Sequence, residues 1–140
     1  MSEKIVLTYD IQGEDFTRAG EASSNLKSYL KKMGVKPDII RKIAICMYEG
    51  EINMVIHAGG GNIKVEISTD AVIMTLKDSG PGIKDVEQAM AEGFSTAPDN
   101  IRLLGFVAGM GLPNMKKYSD DISIETQLGV GTTVTLKVNL

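Results

Sequence analysis

The chain has 140 residues, which is enough for one domain with a continuous hydrophobic core and no disulfide or structural metal. Its 15 basic and 18 acidic residues give a net charge of −3, so no basic surface for nucleic acid or an anionic membrane is expected. The single cysteine excludes an internal disulfide, and no apolar run suits a signal peptide or a bilayer span. We therefore expect one cytoplasmic domain over residues 1–140 that binds a small ligand or a protein.

The first part of the chain predicts one strand followed by two helices. Residues 4–11 are rich in β-branched and aromatic side chains and predict an opening strand. Apolar residues then recur near helical spacing over about residues 14–33, and Gly34 is a stop signal for this helix. Pro37 suits the first turn of a second, longer helix that runs to about Ala58.

The second part of the chain predicts four strands and two short helices. In order, it contains a turn at residues 59–62, a hairpin of strands 63–67 and 72–76, helices at 86–91 and 112–118, and strands 122–126 and 132–138 around a turn at 129–131. Residues 92–110 show no convincing period, and so long a loop is usually a functional lid. These elements favour an α/β two-layer sandwich, with helices on one face of a mixed, mostly antiparallel sheet.

Three polar residues lie at strict four-residue spacing inside the apolar second helix. Steps of four residues place Glu49, Asn53 and His57 in one narrow stripe. Burying a carboxylate or an amide without a partner costs on the order of a few kcal/mol, so the stripe should face a ligand, a metal or a wet cavity. The same spacing also fits the solvated edge of an amphipathic helix, and a histidine at that place also suits the last helical carbonyls.

An aspartate and two glycines follow the predicted strand at residues 72–76. In the segment Asp78-Ser-Gly80-Pro-Gly82-Ile83, glycines allow the backbone to approach a flat ligand. The carboxylate of Asp78 can accept hydrogen bonds from an amino group such as that of adenine. The local sequence by itself also fits an ordinary Pro-Gly turn with an Asx-type hydrogen bond.

Two further glycine pairs lie near the C-terminal end of the chain. Gly109-Met-Gly111-Leu112 leads directly into a predicted helix, so unpaired amides and the positive helix end would point at phosphate. A flexible hinge is the alternative for that segment. Gly129-Val-Gly131 between two strands is by itself most typical of a hairpin turn.

Together, the order and spacing of these elements resemble the N, G1, G2 and terminal Gly-x-Gly-Thr elements of the Bergerat-fold (GHKL) ATPases. The matching segments are Glu49-x-x-x-Asn53-x-x-x-His57, Asp78-x-Gly80-x-Gly82-Ile83, Gly109-x-Gly111-Leu112 and Gly129-x-Gly131-Thr132. This superfamily includes gyrase, the ninety-kilodalton heat-shock chaperone, histidine kinases and mismatch-repair ATPases. The compact length and the segment Gly93-Phe-Ser-Thr96 look most like the stand-alone anti-sigma-factor serine/threonine kinases.

The resemblance implies the Bergerat ATP-binding fold and an ATP site with Mg²⁺. Asp78 would bind the adenine amino group, Asn53 would bind Mg²⁺, and Glu49 would act as the general base. The other implied ATP-binding residues belong to the base pocket and to a lid over about residues 92–111: Gly80, Gly82, Ile83, Thr96, Gly109, Gly111, Leu112 and Thr132.

The implied function is a kinase that binds Mg-ATP, sequesters a sigma-like factor and phosphorylates a small antagonist protein. The resemblance is also compatible with a homodimer, and direct binding to nucleic acid or a membrane is not expected. Two other interpretations remain open: a non-catalytic ATP-gated protein-binding module, and a detached histidine-kinase catalytic domain that needs a separate phosphoacceptor chain.

Overall fold

A computed structural model describes residues 4–12, 20–57, 60–80 and 111–140. The strands and helices in this part of the chain are β1 (Ile5–Gln12), α1 (Glu21–Lys32), α2 (Pro37–His57), β2 (Gly60–Ile67), β3 (Ala71–Lys77), α3 (Gly111–Tyr118), β4 (Asp121–Gln127) and β5 (Gly131–Asn139). The predicted helix at residues 86–91 and the predicted lid, except its last residue, lie outside the described residues. None of the three helices above is long and apolar enough to cross a bilayer.

The five strands form one sheet in the order β1-β2-β3-β5-β4. Each of the four neighbouring pairs is antiparallel. The β2–β3 hairpin is closed as predicted, with the Ser68 amide donating to the Ala71 carbonyl. Strand β5 lies between β3 and β4, so the last hairpin adds β5 next to the central strand β3 and β4 at the edge of the sheet. The predicted α/β sandwich is confirmed.

One face of the sheet carries the core. Alternate side chains of the three central strands point into it, as the period of two requires: Ile63, Val65, Ile67, Val72, Met74, Leu76, Val134, Leu136 and Val138. Helix α2 contacts strands β1, β2, β3 and β5, and both α1 and α3 pack on α2. The helices therefore cover one face, and α2 lies at the centre of the helical layer.

Helix α1 is shorter than predicted. Gly20 has a left-handed backbone with φ of 99°, which an α-helix cannot contain, and the helix begins at the next residue. The prediction of one continuous helix over residues 14–33 is therefore wrong at Gly20, and residues 14–19 lie outside the described part. Within α1, Ala22, Leu26 and Leu30 recur every four residues and are buried against the core.

The predicted turn at residues 59–62 is also wrong, because residues 60–62 belong to β2 and pair with the end of β1. Gly61 has φ of +155°, and a Cβ atom there would overlap the carbonyl oxygen of Lys77. Glycine at this position lets the first residues of β2 lie directly against the end of β3. Residues 60–62 therefore extend β2 as far as the end of β3.

Candidate functional site

Asp78 directly follows β3, at the end of the sheet where strand β3 finishes and the neighbouring strand β5 begins. Its amide donates to the Thr132 carbonyl over 3.0 Å. Its Oδ1 atom accepts from the Gly80 amide at 2.9 Å, which is the Asx-type bond that the alternative Pro-Gly turn interpretation predicted, and from the Thr132 amide at 3.2 Å. The carboxylate is thereby fixed in orientation. Its other oxygen, Oδ2, has no hydrogen bond to any described residue.

Gly131 is necessary for this contact between β3 and β5. It has φ of +146°, and a Cβ atom there would overlap the carbonyl oxygen of Asp78. Thr132 follows and is buried, with its hydroxyl 2.9 Å from that of Thr126. The local sequence predicted a hairpin turn at Gly129-Val-Gly131, and the resemblance implied that Thr132 belongs to the ATP site. In the structure, the absence of a side chain at Gly131 also leaves space for the Asp78 backbone, which follows the neighbouring strand β3.

Gly50 allows the central helix α2 to pack close to the same end of the sheet. A Cβ atom at Gly50 would overlap the Leu76 side chain and would lie 3.7 Å from Met115 Sδ. An interior glycine lowers helix stability by about 1 kcal/mol relative to alanine, which the close packing offsets here. Since Leu76 is two residues before Asp78, this contact places the part of α2 around Gly50 near the end of β3 that precedes Asp78.

Glu49 is half-buried on α2 and faces α3. Its Oε1 atom accepts a hydrogen bond from Asn114 Nδ2 at 3.2 Å. Burial raises the pKa of Glu49 above its usual value of 4.5, and the hydrogen bond from Asn114 partly opposes that rise. A carboxylate with a raised pKa is a better proton acceptor than an exposed one.

Asn53 lies one helical turn after Glu49 and is half-buried. Its side chain has no hydrogen bond to any described residue. No group of three or more His, Cys, Asp or Glu side chains that could hold a metal occurs in the described ranges. Mg²⁺ nevertheless suits an amide oxygen here, because this ion is usually held by one or two protein ligands and substrate phosphates and keeps several waters.

The other predicted site residues divide into two groups. Gly80 bonds to Asp78, and Gly111 begins α3 with Leu112 next to it in the same first turn. The remaining four, together with most of the predicted lid, lie outside the described residues: Gly82, Ile83, Thr96 and Gly109. His57 ends α2. The structure thus brings Asp78, Gly80 and Thr132 together.

Sequence reasoning missed the roles of two residues, one beside Glu49 in the site and one that holds α1 against α2. Asn114 is 65 positions from Glu49, and only the glycine-led start of its helix hinted at its neighbourhood. Glu51 is buried, and its two oxygens accept from the amides of Ala22 and Ser23, each at 3.2 Å. It caps the N-terminus of α1, where Gly20 offers no side chain. The only signal in the sequence was a charged residue in an apolar helix.

Comparisons with known proteins identify the family of the chain. Residues 40–140 match the family described as histidine kinase-, DNA gyrase B- and HSP90-like ATPase. The chain belongs to this ATPase family. The match confirms the resemblance inferred from the motifs, and ATP binding follows from membership.

Two relatives of this ATPase-family chain are anti-sigma F factors. That of Bacillus subtilis is 31% identical over 135 residues, which cover 92% of this chain and 86% of the relative. That of Bacillus licheniformis is 30% identical with the same coverage. Among solved structures, the SiaB-SiaC complex from Pseudomonas aeruginosa matches with a TM-score of 0.57 and 11% identity, over 96% of this chain and 89% of that chain. The last likeness supports the fold alone.

Proposed function

We propose that this protein is a Mg-ATP-dependent protein serine/threonine kinase of the anti-sigma-factor type. It sequesters a sigma-like factor and phosphorylates a small antagonist protein, as one domain over residues 1–140. The observation that carries the proposal concerns Glu49, which is half-buried and has a raised pKa. It lies one turn before Asn53 on α2, and the close packing of Gly50 on Leu76 brings this part of α2 near the end of β3 that precedes Asp78. Two relatives named anti-sigma F factor support the choice of kinase class. A cytoplasmic location and a homodimer belong to the same proposal.

Asp78 is the proposed adenine-binding residue. Its Oδ1 atom is occupied by the amides of Gly80 and Thr132. The Oδ2 atom is therefore the one that accepts a hydrogen bond from the adenine amino group, and the buried Thr132 supports the base from below. The proposal adds pocket and lid contacts from residues in or near the undescribed segments: Gly82, Ile83, Thr96, Gly109, Gly111 and Leu112.

Asn53 is the proposed protein ligand of Mg²⁺. Its amide oxygen is a hard ligand, and its half-buried position one turn from Glu49 leaves it available. A bound ion would supply positive charge that offsets the negative charge on the phosphates and on the transferred group. Asn53 then orients the nucleotide so that its terminal phosphate lies toward Glu49.

Glu49 is the proposed general base. It accepts the proton of a serine or threonine hydroxyl of the antagonist as that oxygen bonds to the γ-phosphorus. The bond between the γ-phosphorus and the β–γ bridging oxygen breaks, and ADP leaves with that electron pair. The raised pKa strengthens Glu49 as a base, while the hydrogen bond from Asn114 favours its ionised form.

The experiment that tests this function follows the label from γ-labelled ATP. The purified chain is incubated with the nucleotide, Mg²⁺ and an extract of its own cells, and labelled proteins are separated and treated with acid. Acid-stable label on a small protein supports the serine/threonine kinase. Acid-labile label points to the histidine-kinase alternative, and ATP binding with no labelled protein points to the ATP-gated binding module.

The adenine assignment is tested with Asp78→Asn. An asparagine keeps an oxygen for the amides of Gly80 and Thr132 but turns its NH₂ toward the adenine amino group, so two donors face each other. We expect ATP affinity to fall by about 10-fold or more in titration calorimetry. Asp70→Asn, an exposed aspartate at the opposite end of β3, is the matched control. Equal affinity of wild type and Asp78→Asn would remove the assignment.

A further inference from the structure

The contact between α2 and α3 joins the proposed base to a residue that no motif assigns. Asn114 is the fourth residue of α3, and its Nδ2 atom lies 3.2 Å from Glu49 Oε1. An ionised carboxylate only accepts hydrogen bonds, so the NH₂ group of the amide is the part that faces it. Glu49 Oε2 has no hydrogen bond to any residue in the described ranges. One oxygen is thus held and the other is open.

The neighbouring residue fixes α3 in place. Met115 is 1% exposed, its carbonyl accepts from the buried Cys46 thiol at 3.7 Å, and its sulfur packs near Gly50. Both contacts are with α2, on either side of Glu49 in sequence. The backbone that carries Asn114 is therefore anchored to the helix that carries Glu49, which keeps the amide within reach of the carboxylate.

We propose that Asn114 is a positioning residue for Glu49, which holds Oε1 and leaves Oε2 as the atom that takes the proton from the acceptor hydroxyl. The inference rests on the proposed kinase function and deepens it. Asn114 also ties the base to the first turn of α3, which begins at Gly111.

The electrostatic surroundings make this contact measurable. The pKa of Glu49 is raised by burial and lowered by the hydrogen bond from Asn114. One turn earlier on α2, burial raises the pKa of the Cys46 thiol to about 12, so this group stays neutral while Glu49 titrates. The charges of Asp120, which follows α3, and of Glu49 itself also raise the pKa of Cys46. Removal of the Asn114 amide should therefore raise the pKa of Glu49 further.

The first test is the titration of the ¹³C-labelled Glu49 carboxyl by NMR in the protein without nucleotide or Mg²⁺. In Asn114→Ala we expect a higher pKa for Glu49 than in wild type. Asn114→Asp, which keeps the shape and replaces the donor by a like charge, should raise it still further. Asn139→Ala, an exposed asparagine at the end of β5, is the matched control and should leave it unchanged. An unchanged Glu49 pKa in both Asn114 variants overturns the proposal.

The second test separates positioning from binding. Asn114→Ala should lower kcat for phosphotransfer by about 10-fold or more, because the base loses its fixed orientation, while KM for ATP stays within about twofold. The acid limb of the pH–rate profile should move to higher pH, which loss of folded protein alone would not cause. A uniform loss at every pH overturns the proposal. If wild type transfers no phosphate, the kinase function fails, and the NMR titration still decides whether Asn114 holds Glu49.

Discussion

Two carboxylates, two positions apart on α2, have opposite surroundings. Glu49 is half-buried against α3, and one of its oxygens is held by Asn114. Glu51 is 2% exposed against α1, and both of its oxygens accept backbone amides. The more deeply buried acid is thus the one whose two oxygens both accept hydrogen bonds. Open capacity beside a neighbouring amide, rather than burial, marks Glu49 as the candidate for chemistry and Glu51 as a structural residue.

Among the changes that distinguish Glu49 from Glu51, the largest expected effect is on the rate of phosphotransfer. Glu49→Gln keeps the size of the side chain and an oxygen for Asn114 but cannot take a proton, so we expect the rate to fall by about 10²-fold to 10⁴-fold. ATP affinity should be unchanged in calorimetry. Glu125→Gln, an exposed glutamate on β4, is the control. Transfer at the wild-type rate by Glu49→Gln would remove the base assignment.

The same variant should not be less stable than wild type at neutral pH. Folding raises the pKa of Glu49, so the folded state binds more protons than the unfolded state above pH 4.5, and the ionised side chain lowers stability as the pH rises. Glutamine does not titrate. A thermal melt at pH 7 should therefore show an equal or higher Tm for Glu49→Gln, and the difference should shrink as the pH falls toward 4.

A large effect on stability is expected instead from Glu51→Ala. The variant removes both acceptors of the Ala22 and Ser23 amides, which are buried at the N-terminus of α1. We expect the free energy of unfolding in urea to fall by about 2–4 kcal/mol. Per folded molecule, phosphotransfer should remain. Glu125→Ala is the matched control, and a stability equal to that of the control would contradict the capping role.

A smaller effect on stability is expected from Gly50→Ala. Gly50 lies between Glu49 and Glu51 on α2. The new Cβ atom overlaps the Leu76 side chain, so α2 must move outward or Leu76 must change rotamer. Overpacking of about 1–3 kcal/mol is partly offset by the gain of about 1 kcal/mol in helix propensity. We expect a net loss of about 0–2 kcal/mol in urea unfolding. Gly34→Ala tests the opposite case, since Gly34 has open space around it and only its φ of +82° opposes a side chain.

Much of the fold followed from the sequence because its signals are local. The strands of both hairpins alternate clearly, and α2 combines an apolar surface with Pro37 at its start. The two errors both fall at glycines with positive φ, Gly20 and Gly61, and at Gly61 a side chain is excluded by the Lys77 carbonyl of the neighbouring strand. A glycine in a sequence does not state whether it ends a helix, turns the chain or makes room for a neighbouring strand.

The candidate site was predictable only where its residues are close in sequence. Four-residue spacing indicated Glu49 and Asn53, and the Asp-x-Gly-x-Gly pattern indicated Asp78. Asn114 could not be predicted, because its contact with Glu49 depends on how α3 packs against α2. The same holds for Glu51, since a buried acid is explained only when the amides that it binds are known.

The cap supplied by Glu51 also governs when α1 can form. A helix of 12 residues is marginal in isolation, and the acceptor for its first amides comes from a residue 28 and 29 positions later. Helix α1 should therefore become stable only after α2 has folded beside it, as a late step of folding. Hydrogen exchange at the Ala22 and Ser23 amides consequently reports the docking of these two helices, and loss of protection there would be the earliest sign that α1 has separated from the domain.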